Sequence, residues 1–374
     1  MEKIKLLIVE DSAFLRSTYQ KLLSDSKEIE IVDTAKNGKD GVEKTILHKP
    51  DVITMDIEMP VMNGLDAVKE IMKVQPTPIL MVSSLTKEGA DATMEALSRG
   101  AIDFIPKETA FSKVSTMKDN LIEKIVKIAG NTGLKNRILR TTNITKENRN
   151  HDSIDNNVKK TVASESNSVK KGKSSNYNLA EREIPTKSKI NAISIGISTG
   201  GPLSLQQVIP FLSENIKVPV FIVQHMPPNF TKSLAERLDG TSKLKVKEAE
   251  SGEIIEGGTV YIAPGGKQML IGNSKIVITD KKPEKELYSP SFNIALGSQV
   301  HCYNKKILAV VMTGMGSDGT IAMKKLQEIG GYNISQDPDT CVVAGMPSSA
   351  LNAGIINEML PLDKIAPFIN KIFD

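Results

Sequence analysis

The sequence predicts an α/β protein with two parallel-sheet domains joined by a basic linker. Short apolar runs alternate with stretches of helical spacing in residues 1–130 and again in residues 189–374, which indicates parallel strands connected by helices. Residues 131–188 between them contain few apolar residues and show no strand or helix period. The length of 374 residues also fits two domains of roughly 100–200 residues each.

The composition excludes several classes of protein. It is 40% hydrophobic and 25% charged, as in ordinary globular chains, but only 4% aromatic with no Trp, which argues against base-stacking platforms for nucleic acid. Cys302 and Cys341 lack the spacing of a zinc site or a disulfide framework, so we expect two small buried side chains. No apolar run approaches the ~18 residues of a membrane span, and the start MEKIKLLIVEDS indicates a strand and not a signal peptide. The expected location is therefore cytoplasmic, without membrane insertion.

The excess positive charge lies in the middle of the chain. Residues 131–189 contain 13 Lys and Arg against 6 Asp and Glu, whereas residues 190–374 contain 17 of each. A nucleic-acid-binding domain would cluster its basic residues on a folded surface, so no nucleic-acid partner is expected. Asn, Ser, Thr and Lys dominate residues 131–188, which predicts a flexible tether; contact of its Lys pairs with an acidic partner is the alternative.

In residues 1–130 the strand motifs are IKLLIV, EIVDTA, DVITMD, PILMVS and AIDFIP, with helical spacing at 13–25, 39–48, 64–73, 88–99 and 114–128. Glu10 and Asp11 end the first strand motif, Asp56 ends the third and Ser83 the fourth, while Lys107 follows the fifth. Ligands of open parallel sheets bind at the carboxyl ends of the strands. Three carboxylates there suit Mg²⁺, and with a hydroxyl and an ammonium they suit phosphoryl transfer onto Asp56.

These motifs resemble a two-component receiver domain, a flavodoxin-like fold with a five-stranded parallel sheet. LLIVEDSAFLR, VITMDIEMPVMNGLD, LMVSSLT and GAIDFIPK match it in order over nearly all of residues 1–125. Glu108 is a departure, because these domains usually have Pro after the Lys.

The resemblance implies that Asp56 receives phosphate from a histidine kinase while Glu10, Asp11 and Asp56 hold Mg²⁺. It further implies that Ser83 contacts the phosphoryl group and that Phe104 is the aromatic switch residue, with Lys107 beside the phosphoryl group.

The third segment repeats the alternation. Its strand motifs are AISIGIS, VFIVQH, TVYIAP, KIVITD, ILAVVMTG and YNISQD, with helical spacing near 202–213, 230–239, 291–301, 318–329 and 347–353 and a hairpin-like insertion around 244–280. This predicts a doubly wound α/β domain with a mostly parallel sheet.

The first of these strand motifs runs into G-x-S-x-G, with Ser198 at its centre. Glycines permit the tight turn that exposes a serine hydroxyl at a sheet edge, and the following helix start offers free N–H groups for an oxyanion. The same strand, loop and helix also fit a phosphate cradle. However, neither the G-x-G-x-x-G spacing of dinucleotide sites nor the G-K-[ST] of a P-loop occurs here.

A serine nucleophile needs a base, and the chain has only four histidines. His48 precedes a proline, His151 lies in the linker and His301 ends an amphipathic helix. His225 ends the strand motif VFIVQ, at the same sheet edge as the serine, and is the favoured base, although a lone His is more often structural.

The acid that orients this base has two candidates. Asp318 lies in the glycine-rich loop MTGMGSDGT after a strand motif and is favoured, and Asp337 after YNISQ competes with it. The order Ser, His, Asp differs from that of common α/β-hydrolases.

Residues 190–370 resemble the protein-glutamate methylesterase domain of bacterial chemotaxis. The motifs GISTGGP, VQHMPPNFTKSLAERL, YIAPGGKQM, VMTGMGSDG and CVVAGMPSSA carry this resemblance. It implies Ser198 as nucleophile, His225 as base and Asp318 as its orienting acid, with the Thr199 and Met315 N–H groups as oxyanion candidates.

The resemblance also implies the substrates: glutamate methyl esters and glutamines on chemoreceptor helices, hydrolysed without a cofactor and under the control of the receiver. The expected domains are a receiver (1–130), a linker (131–188) and a methylesterase domain (189–374). In YSPSFNIAL the family often has Arg at the position of Ser289 and Asp at that of Asn293. An esterase with a target outside chemotaxis and a non-enzymatic response regulator are the alternative functions.

Overall fold

The structure is a computed structural model that describes residues 2–107, 114–131 and 177–374. Its first unit is a parallel sheet of five strands in the order β2-β1-β3-β4-β5. The strands are β1 (Ile4–Val9), β2 (Ile29–Ala35), β3 (Val52–Asp56), β4 (Ile79–Ser83) and β5 (Asp103–Pro106). The helices are α1 (Ala13–Leu23), α2 (Gly38–His48), α3 (Gly64–Val74), α4 (Lys87–Ser98) and α5 (Val114–Ala129).

Side-chain caps determine where four of these helices begin. Ser12, Asn37, Asn63 and Thr86 each accept a hydrogen bond from the backbone N–H three residues later. Such a cap satisfies one of the N–H groups that the first turn of a helix leaves free. Each cap lies at the carboxyl end of the sheet, and the strand-to-helix loops there carry the polar residues of the site.

The second unit contains a seven-stranded parallel sheet in the order β14-β13-β12-β6-β7-β9-β8 and a separate antiparallel hairpin of β10 and β11. Its strands are β6 (Ala192–Ile197), β7 (Val220–Gln224), β8 (Lys245–Glu248), β9 (Thr259–Ile262), β10 (Gln268–Gly272), β11 (Lys275–Thr279), β12 (Ile307–Val311), β13 (Tyr332–Gln336) and β14 (Glu358–Leu360). Its helices are α6 (Gly201–Leu205), α7 (Phe230–Asp239), α8 (Phe292–Tyr303), α9 (Thr320–Glu328), α10 (Gly345–Asn352) and α11 (Leu362–Phe373).

Both predicted parallel sheets are therefore present, with two local differences. The predicted helix 202–213 ends at Leu205 and is followed by a 3-10 turn over 209–211. Pro210 lies inside that 3-10 turn and has no N–H, so an α-helix continuing from Leu205 would lack the bond from residue 210 to the Gln206 carbonyl. The expected insertion at 244–280 is smaller than predicted, since β8 and β9 belong to the main sheet and only β10 and β11 form a hairpin.

Residues 177–190, which we call the strap, lie along the second unit. Tyr177 packs against an apolar cluster of that unit, which includes Ile355 and Ile356. The Ala180 N–H donates to the Ile356 carbonyl at 2.7 Å, and the Asn357 amide donates to the Ala180 carbonyl at 2.9 Å. Residues 177–188 fall within the range that the sequence assigns to the linker; residues 132–176, which include His151 and most of that linker, lie outside the described residues.

The strap is also anchored through its basic side chains. Arg182 donates to the carbonyls of Gly331 and Gln327, at the C-terminal end of α9. Lys187 donates to the Phe373 carbonyl at 2.8 Å, at the end of α11. Both cations lie where free carbonyls and the helix dipole favour positive charge.

The two units contact each other through α4 and α7. The Phe104 ring of β5 stacks on Phe230 of α7, with 4.4 Å between ring centroids and 4° between ring planes. Ser233 of α7 donates to Asp91 of α4 at 2.6 Å. The contact is therefore an aromatic stack bordered by a charge-assisted hydrogen bond.

A second contact joins the end of α5 to the loop after β13. Asn131 donates its side-chain amide to the carbonyls of Cys341 and Val342, at 2.9 and 3.0 Å. Val342 and Val343 belong to the same apolar cluster as Leu121 and Ile125 of α5. The first unit thus lies beside the loops at the carboxyl edge of the second sheet.

Two expectations from composition have different outcomes. In the part of the chain that the structure describes, none of the helices has the length and apolar character of a membrane span. Cys341 is buried as expected, but Cys302 is exposed near the end of α8, so that expectation is wrong for Cys302.

Candidate active site and phospho-acceptor site

Ser198 lies immediately after β6, at the carboxyl edge of the seven-stranded sheet. Its carbonyl accepts the Gly201 N–H at 2.7 Å, which closes the turn into α6. Gly200 in this turn has φ +74°, and a Cβ there would lie 2.4 Å from a Val342 methyl carbon. Glycine is therefore required at this position both for backbone conformation and for space.

His225 lies beside Ser198 because of the strand register. Ile197 of β6 pairs with Gln224 of β7, and the His225 N–H donates to the Ile197 carbonyl at 3.1 Å. Ser198 and His225 are therefore the next residues along two adjacent parallel strands. The register therefore brings the backbones of Ser198 and His225 side by side at the carboxyl edge of the sheet.

Asp318 approaches the histidine from the loop after β12. Its Oδ2 lies 2.8 Å from Nε2 of His225. Three further donors converge on the same carboxylate: Ser291 Oγ at 3.1 Å, Phe292 N at 2.6 Å and Asn293 N at 2.9 Å. The two N–H groups belong to the first turn of α8, where the helix dipole also favours a negative charge.

The surroundings keep Asp318 ionised. Burial alone would raise the pKa of its carboxyl, but the hydrogen bond and charge of His225 and the backbone N–H groups of Asn293 and Phe292 outweigh that effect. The pKa of Asp318 is therefore lowered from its ordinary value. An ionised Asp318 at Nε2 leaves Nδ1 as the ring nitrogen for other contacts, and among the described residues this buried atom has no hydrogen-bond partner.

Asp337, the competing acid, makes different contacts. Its carboxylate accepts the Asp339 N–H at 3.0 Å and caps the 3-10 turn over 338–340. The structure therefore pairs His225 with Asp318 and uses Asp337 in a local turn.

Thr199 and Met315 lie on the two loops that flank Ser198. The Thr199 carbonyl accepts the Thr313 hydroxyl at 2.9 Å, which ties the loops together. A Cβ on Gly314 would lie 2.8 Å from the Ser198 Cβ, so the loop that carries Met315 passes directly against the serine. Among the described residues, neither the Thr199 nor the Met315 N–H donates to a main-chain carbonyl.

Three residues at this site were not predicted. The Gln224 amide donates to the Ser198 carbonyl at 3.0 Å, Ser291 donates to Asp318, and the Tyr288 ring stacks on His225. Gln224 is a polar residue at the end of an apolar strand motif, and Ser291 precedes a helix as an N-cap residue does, so both left a signal in the sequence. Tyr288 left none, because its contact depends on how a loop folds back.

The two positions that depart from the family pattern have structural partners. Ser289 accepts the Gln268 amide at 3.1 Å. The side-chain oxygen Oδ1 of Asn293 accepts the N–H of Ala322, in the first turn of α9, at 3.0 Å. An Asp side chain could accept this bond equally well, so the asparagine here retains that local contact.

In the first unit, the acidic residues meet at the carboxyl edge of the five-stranded sheet. One potential ligand oxygen from each of Glu10, Asp11 and Asp56 lies within 4.8 Å of the others. Lys107 Nζ lies 2.6 Å from Asp56 Oδ2 and 3.6 Å from Glu10 Oε2. Asp56 Oδ1 accepts the Ile57 N–H at 2.6 Å.

The electrostatics of this cluster fit a divalent cation. Burial, and then the charge of Asp56, raises the pKa of Glu10 to about 7. Burial also raises the pKa of Asp56, although Lys107 opposes this effect. Glu10 Oε2 is buried without a hydrogen-bond partner among the described residues. All three donors are hard oxygens, so the residues present suit Mg²⁺.

The other predicted residues of this unit lie around the acids. Ser83 is buried at the end of β4, and its hydroxyl donates to the Gly89 carbonyl at 3.0 Å. Phe104 is buried in β5 against Phe230 of the second unit. Glu108, the departure after the Lys, lies outside the described residues.

Comparison with known proteins yields two family models. The CheB methylesterase model matches residues 193–369, and the response regulator receiver domain model matches residues 6–118. Together they cover both sheets and both clusters of polar residues.

Curated relatives match nearly the whole chain. A protein-glutamate methylesterase/protein-glutamine glutaminase of Desulfitobacterium hafniense (strain Y51) is 41% identical, with 98% of this chain and 96% of the relative covered. One of the same description from Archaeoglobus fulgidus is 40% identical, with 99% and 98% covered. Among solved structures, the Thermotoga maritima CheB methylesterase catalytic domain is 44% identical with a TM-score of 0.46, covering 49% of this chain and 98% of that one.

Proposed function

The chain belongs to the protein-glutamate methylesterase/protein-glutamine glutaminase family, and we propose that it is a serine hydrolase of chemotactic adaptation with Ser198, His225 and Asp318 as its catalytic triad. Its substrates are glutamate methyl esters, and secondarily glutamines, on the cytoplasmic helices of chemoreceptors. The 2.8 Å bond between His225 and Asp318 beside the Ser198 turn is the observation that carries this proposal. It follows that the enzyme works in the cytoplasm, where those helices lie.

The acylation step uses these three residues in sequence. Ser198 Oγ attacks the ester carbonyl carbon as His225 Nδ1 accepts the hydroxyl proton, and Asp318 stabilises the resulting imidazolium. The carbonyl oxygen becomes an oxyanion, for which the Thr199 and Met315 N–H groups are the proposed donors. The tetrahedral intermediate then expels methoxide, which takes the proton from His225 and leaves as methanol.

Deacylation repeats the chemistry with water. His225 accepts a proton from water as the water oxygen attacks the acyl carbon. The bond from the acyl carbon to Ser198 Oγ then breaks, and Ser198 Oγ takes the proton back from His225. The product is a glutamate carboxylate on the receptor. A glutamine follows the same route with ammonia as the leaving group, which accounts for the second activity in the family name.

We further propose that phosphorylation of Asp56 by a histidine kinase controls this activity. Glu10, Asp11 and Asp56 would hold Mg²⁺, which when bound offsets the charge of the phosphoryl group. Lys107 is placed to make an ion pair with the modified Asp56. Ser83 and Phe104 are the proposed switch residues, because Ser83 ends a strand at this site and Phe104 contacts the second unit.

The contact between the two units supports this form of control. The first unit packs on Phe230, Val342 and Met315, which adjoin the loops of the triad. Receptor helices would have to reach Ser198 past that contact, so repacking at Phe104 after phosphorylation would open the path. Control of this kind is a two-state switch driven by a local change of charge.

Methanol release from methylated receptor membranes, measured with and without a small phosphodonor, tests both parts. We expect wild type to release methanol faster with the donor, Ser198→Ala to release none, and Asp56→Asn to keep only the slow basal rate. Methanol release by Ser198→Ala would show that Ser198 is not the nucleophile and would contradict the proposed triad. Equal activation of Asp56→Asn and wild type by the phosphodonor would contradict control through Asp56 but would not contradict the esterase activity.

A further inference from the structure

Tyr288 covers one face of the proposed catalytic base. Its ring lies parallel to the His225 imidazole, with 4.3 Å between centroids and 7° between planes. It belongs to the loop before α8 and contributes neither a proton acceptor nor an oxyanion donor to the chemistry above. Its role must therefore come from what the stack does to the imidazole.

A single hydrogen bond does not fix the orientation of an imidazole ring. The bond from Nε2 to Asp318 positions one ring atom but leaves the ring plane free to tilt about that atom. Nδ1 has no hydrogen-bond partner among the described residues that would restrain this tilt. The flat face of Tyr288 packs against the ring and restrains its plane, and the plane sets where Nδ1 points.

The backbone of Tyr288 is itself held in place. Its carbonyl accepts the Gln268 amide at 2.7 Å, and its N–H donates to Glu286 at 3.2 Å. Gln268 is fully buried, and its side-chain oxygen Oε1 accepts the Ser291 N–H at 2.9 Å. The same glutamine thus links Tyr288 to Ser291, which bonds to Asp318.

The far end of the Tyr288 ring reaches the loop that carries Met315. A Cβ on Gly316 would lie 2.4 Å from the Tyr288 hydroxyl, and Gly316 has φ +81°. Only a residue without a side chain leaves room for the tyrosine there. The ring thus extends from the base to the oxyanion loop.

We propose that Tyr288 is a positioning residue that fixes the plane of the His225 imidazole, so that Nδ1 is directed at Ser198. This inference rests on the proposed function, because it assigns Tyr288 a task in that reaction. The ring performs the task and the hydroxyl does not, since the stack involves ring faces alone.

Replacing the ring tests the proposal. Tyr288→Leu should lower kcat about 10–100-fold, the scale expected when a catalytic group is misplaced by about 1 Å, and should change KM less than about twofold. Tyr288→Phe keeps the stack and should restore kcat to within about threefold of wild type. The control variant Phe211→Leu makes the same kind of change, from an aromatic ring to leucine, at an exposed position in the 3-10 turn 209–211. It should behave as wild type.

The imidazole N–H that Asp318 accepts gives a readout besides activity. Its proton resonance, identified by its loss in Asp318→Asn, should broaden through faster exchange in Tyr288→Leu and stay sharp in Tyr288→Phe. A wild-type kcat in Tyr288→Leu, or an equal loss of kcat in both Tyr288 variants, would overturn the proposal. If wild type itself released no methanol, that result would contradict the proposed function and not the role of Tyr288 alone.

A second pair of variants gives an answer even where Tyr288→Leu does not fold. Gly316→Ala carries backbone strain in any background, but the clash with the hydroxyl exists only when residue 288 is tyrosine. Adding Tyr288→Phe to Gly316→Ala should therefore recover several-fold in kcat. No recovery would mean that displacing the Tyr288 ring is not what impairs the base.

Discussion

Asp318 is the residue on which the proposed chemistry depends most at the scale of single side chains. Its carboxylate is hydrogen-bonded by His225, by Ser291 and by two N–H groups of α8. These bonds fix both oxygens, so the carboxylate can orient the imidazole without moving. They also supply the charge stabilisation that desolvation would otherwise remove.

Replacing each candidate acid in turn separates their roles. Asp318→Asn should lower kcat about 10³–10⁴-fold, because an amide at this position neither selects the correct tautomer nor stabilises the imidazolium. Asp337→Asn removes the charge but keeps an acceptor oxygen for the Asp339 N–H, so this variant should stay within about threefold of wild type. Initial rates of methanol release measure the effect of both substitutions. A greater loss in Asp337→Asn than in Asp318→Asn would show that Asp337, and not Asp318, orients His225.

The lowered pKa of Asp318 also predicts how stability depends on pH. A carboxyl whose folded pKa lies below its unfolded pKa stabilises the fold above the unfolded value and loses that contribution as the pH falls through the folded value. The free energy of unfolding of wild type should therefore exceed that of Asp318→Asn at neutral pH, and the difference should shrink from about pH 5 downwards. Urea unfolding followed by circular dichroism measures it, since the chain has no Trp. A difference that grows on acidification would contradict the assignment.

Sequence reasoning reached the site residues unequally, for physical reasons. Ser198 and His225 end apolar strand motifs, and the parallel register then brings such residues to one edge. Asp318 lies in a glycine-rich loop whose path no periodicity specifies, so the residues alone favoured it without excluding Asp337, and the family resemblance then added support for Asp318. Tyr288 was not predicted, because its stack on His225 depends on a loop whose conformation is set by tertiary hydrogen bonds.

At the scale of elements, the same distinction separates central strands from edge strands. β6, β7 and β12 are buried along their whole length and were predicted from their apolar runs. β8 and β14 were not predicted: both are outermost strands, β8 reads KVKE and β14 has three residues. An edge strand has a neighbouring strand on one side and is partly exposed on the other. It therefore needs few apolar residues and leaves a weak pattern in the sequence.

Helices α4 and α7 form the contact through which the first unit would restrain the second. Asp91→Ala removes the acceptor of the 2.6 Å hydrogen bond from Ser233. A hydrogen bond to a charged group contributes about 1.5–3 kcal/mol, so the rate of methanol release without phosphodonor should rise about 10-fold or more. With phosphodonor the variant should match wild type, because the contact is then already weakened.

A control for this variant lies on α2, which packs on β1, β2 and α3, whereas α4 packs on α7. Glu43 is an exposed acid on α2, away from α7, and Glu43→Ala should leave both rates unchanged. An unphosphorylated rate in Asp91→Ala equal to that of wild type would show that this contact does not limit access to Ser198.

At the scale of the whole molecule, the strap contacts the second unit along a stretch that composition assigns to the linker. Composition places the end of the linker at residue 188, because basic and polar residues dominate up to that point. Yet Ala180 pairs with Ile356, and Arg182 and Lys187 each bond to the end of a helix. Composition does not reveal these contacts, since a polar segment held by main-chain hydrogen bonds resembles a solvated one in sequence.

The strap predicts that a catalytic fragment starting at residue 177 is more stable than one starting at residue 190. The shorter fragment loses the five strap hydrogen bonds described above, and at about 0.5–1 kcal/mol each their loss should lower its melting temperature by about 5 °C or more. Arg182→Ala in the longer fragment should reproduce part of that loss, whereas Glu183→Ala, an exposed neighbour, should not. Thermal unfolding followed by circular dichroism measures all four proteins. Equal melting temperatures for the two fragments would show that the strap adds nothing to the stability of the catalytic unit and belongs with the linker, as composition predicts.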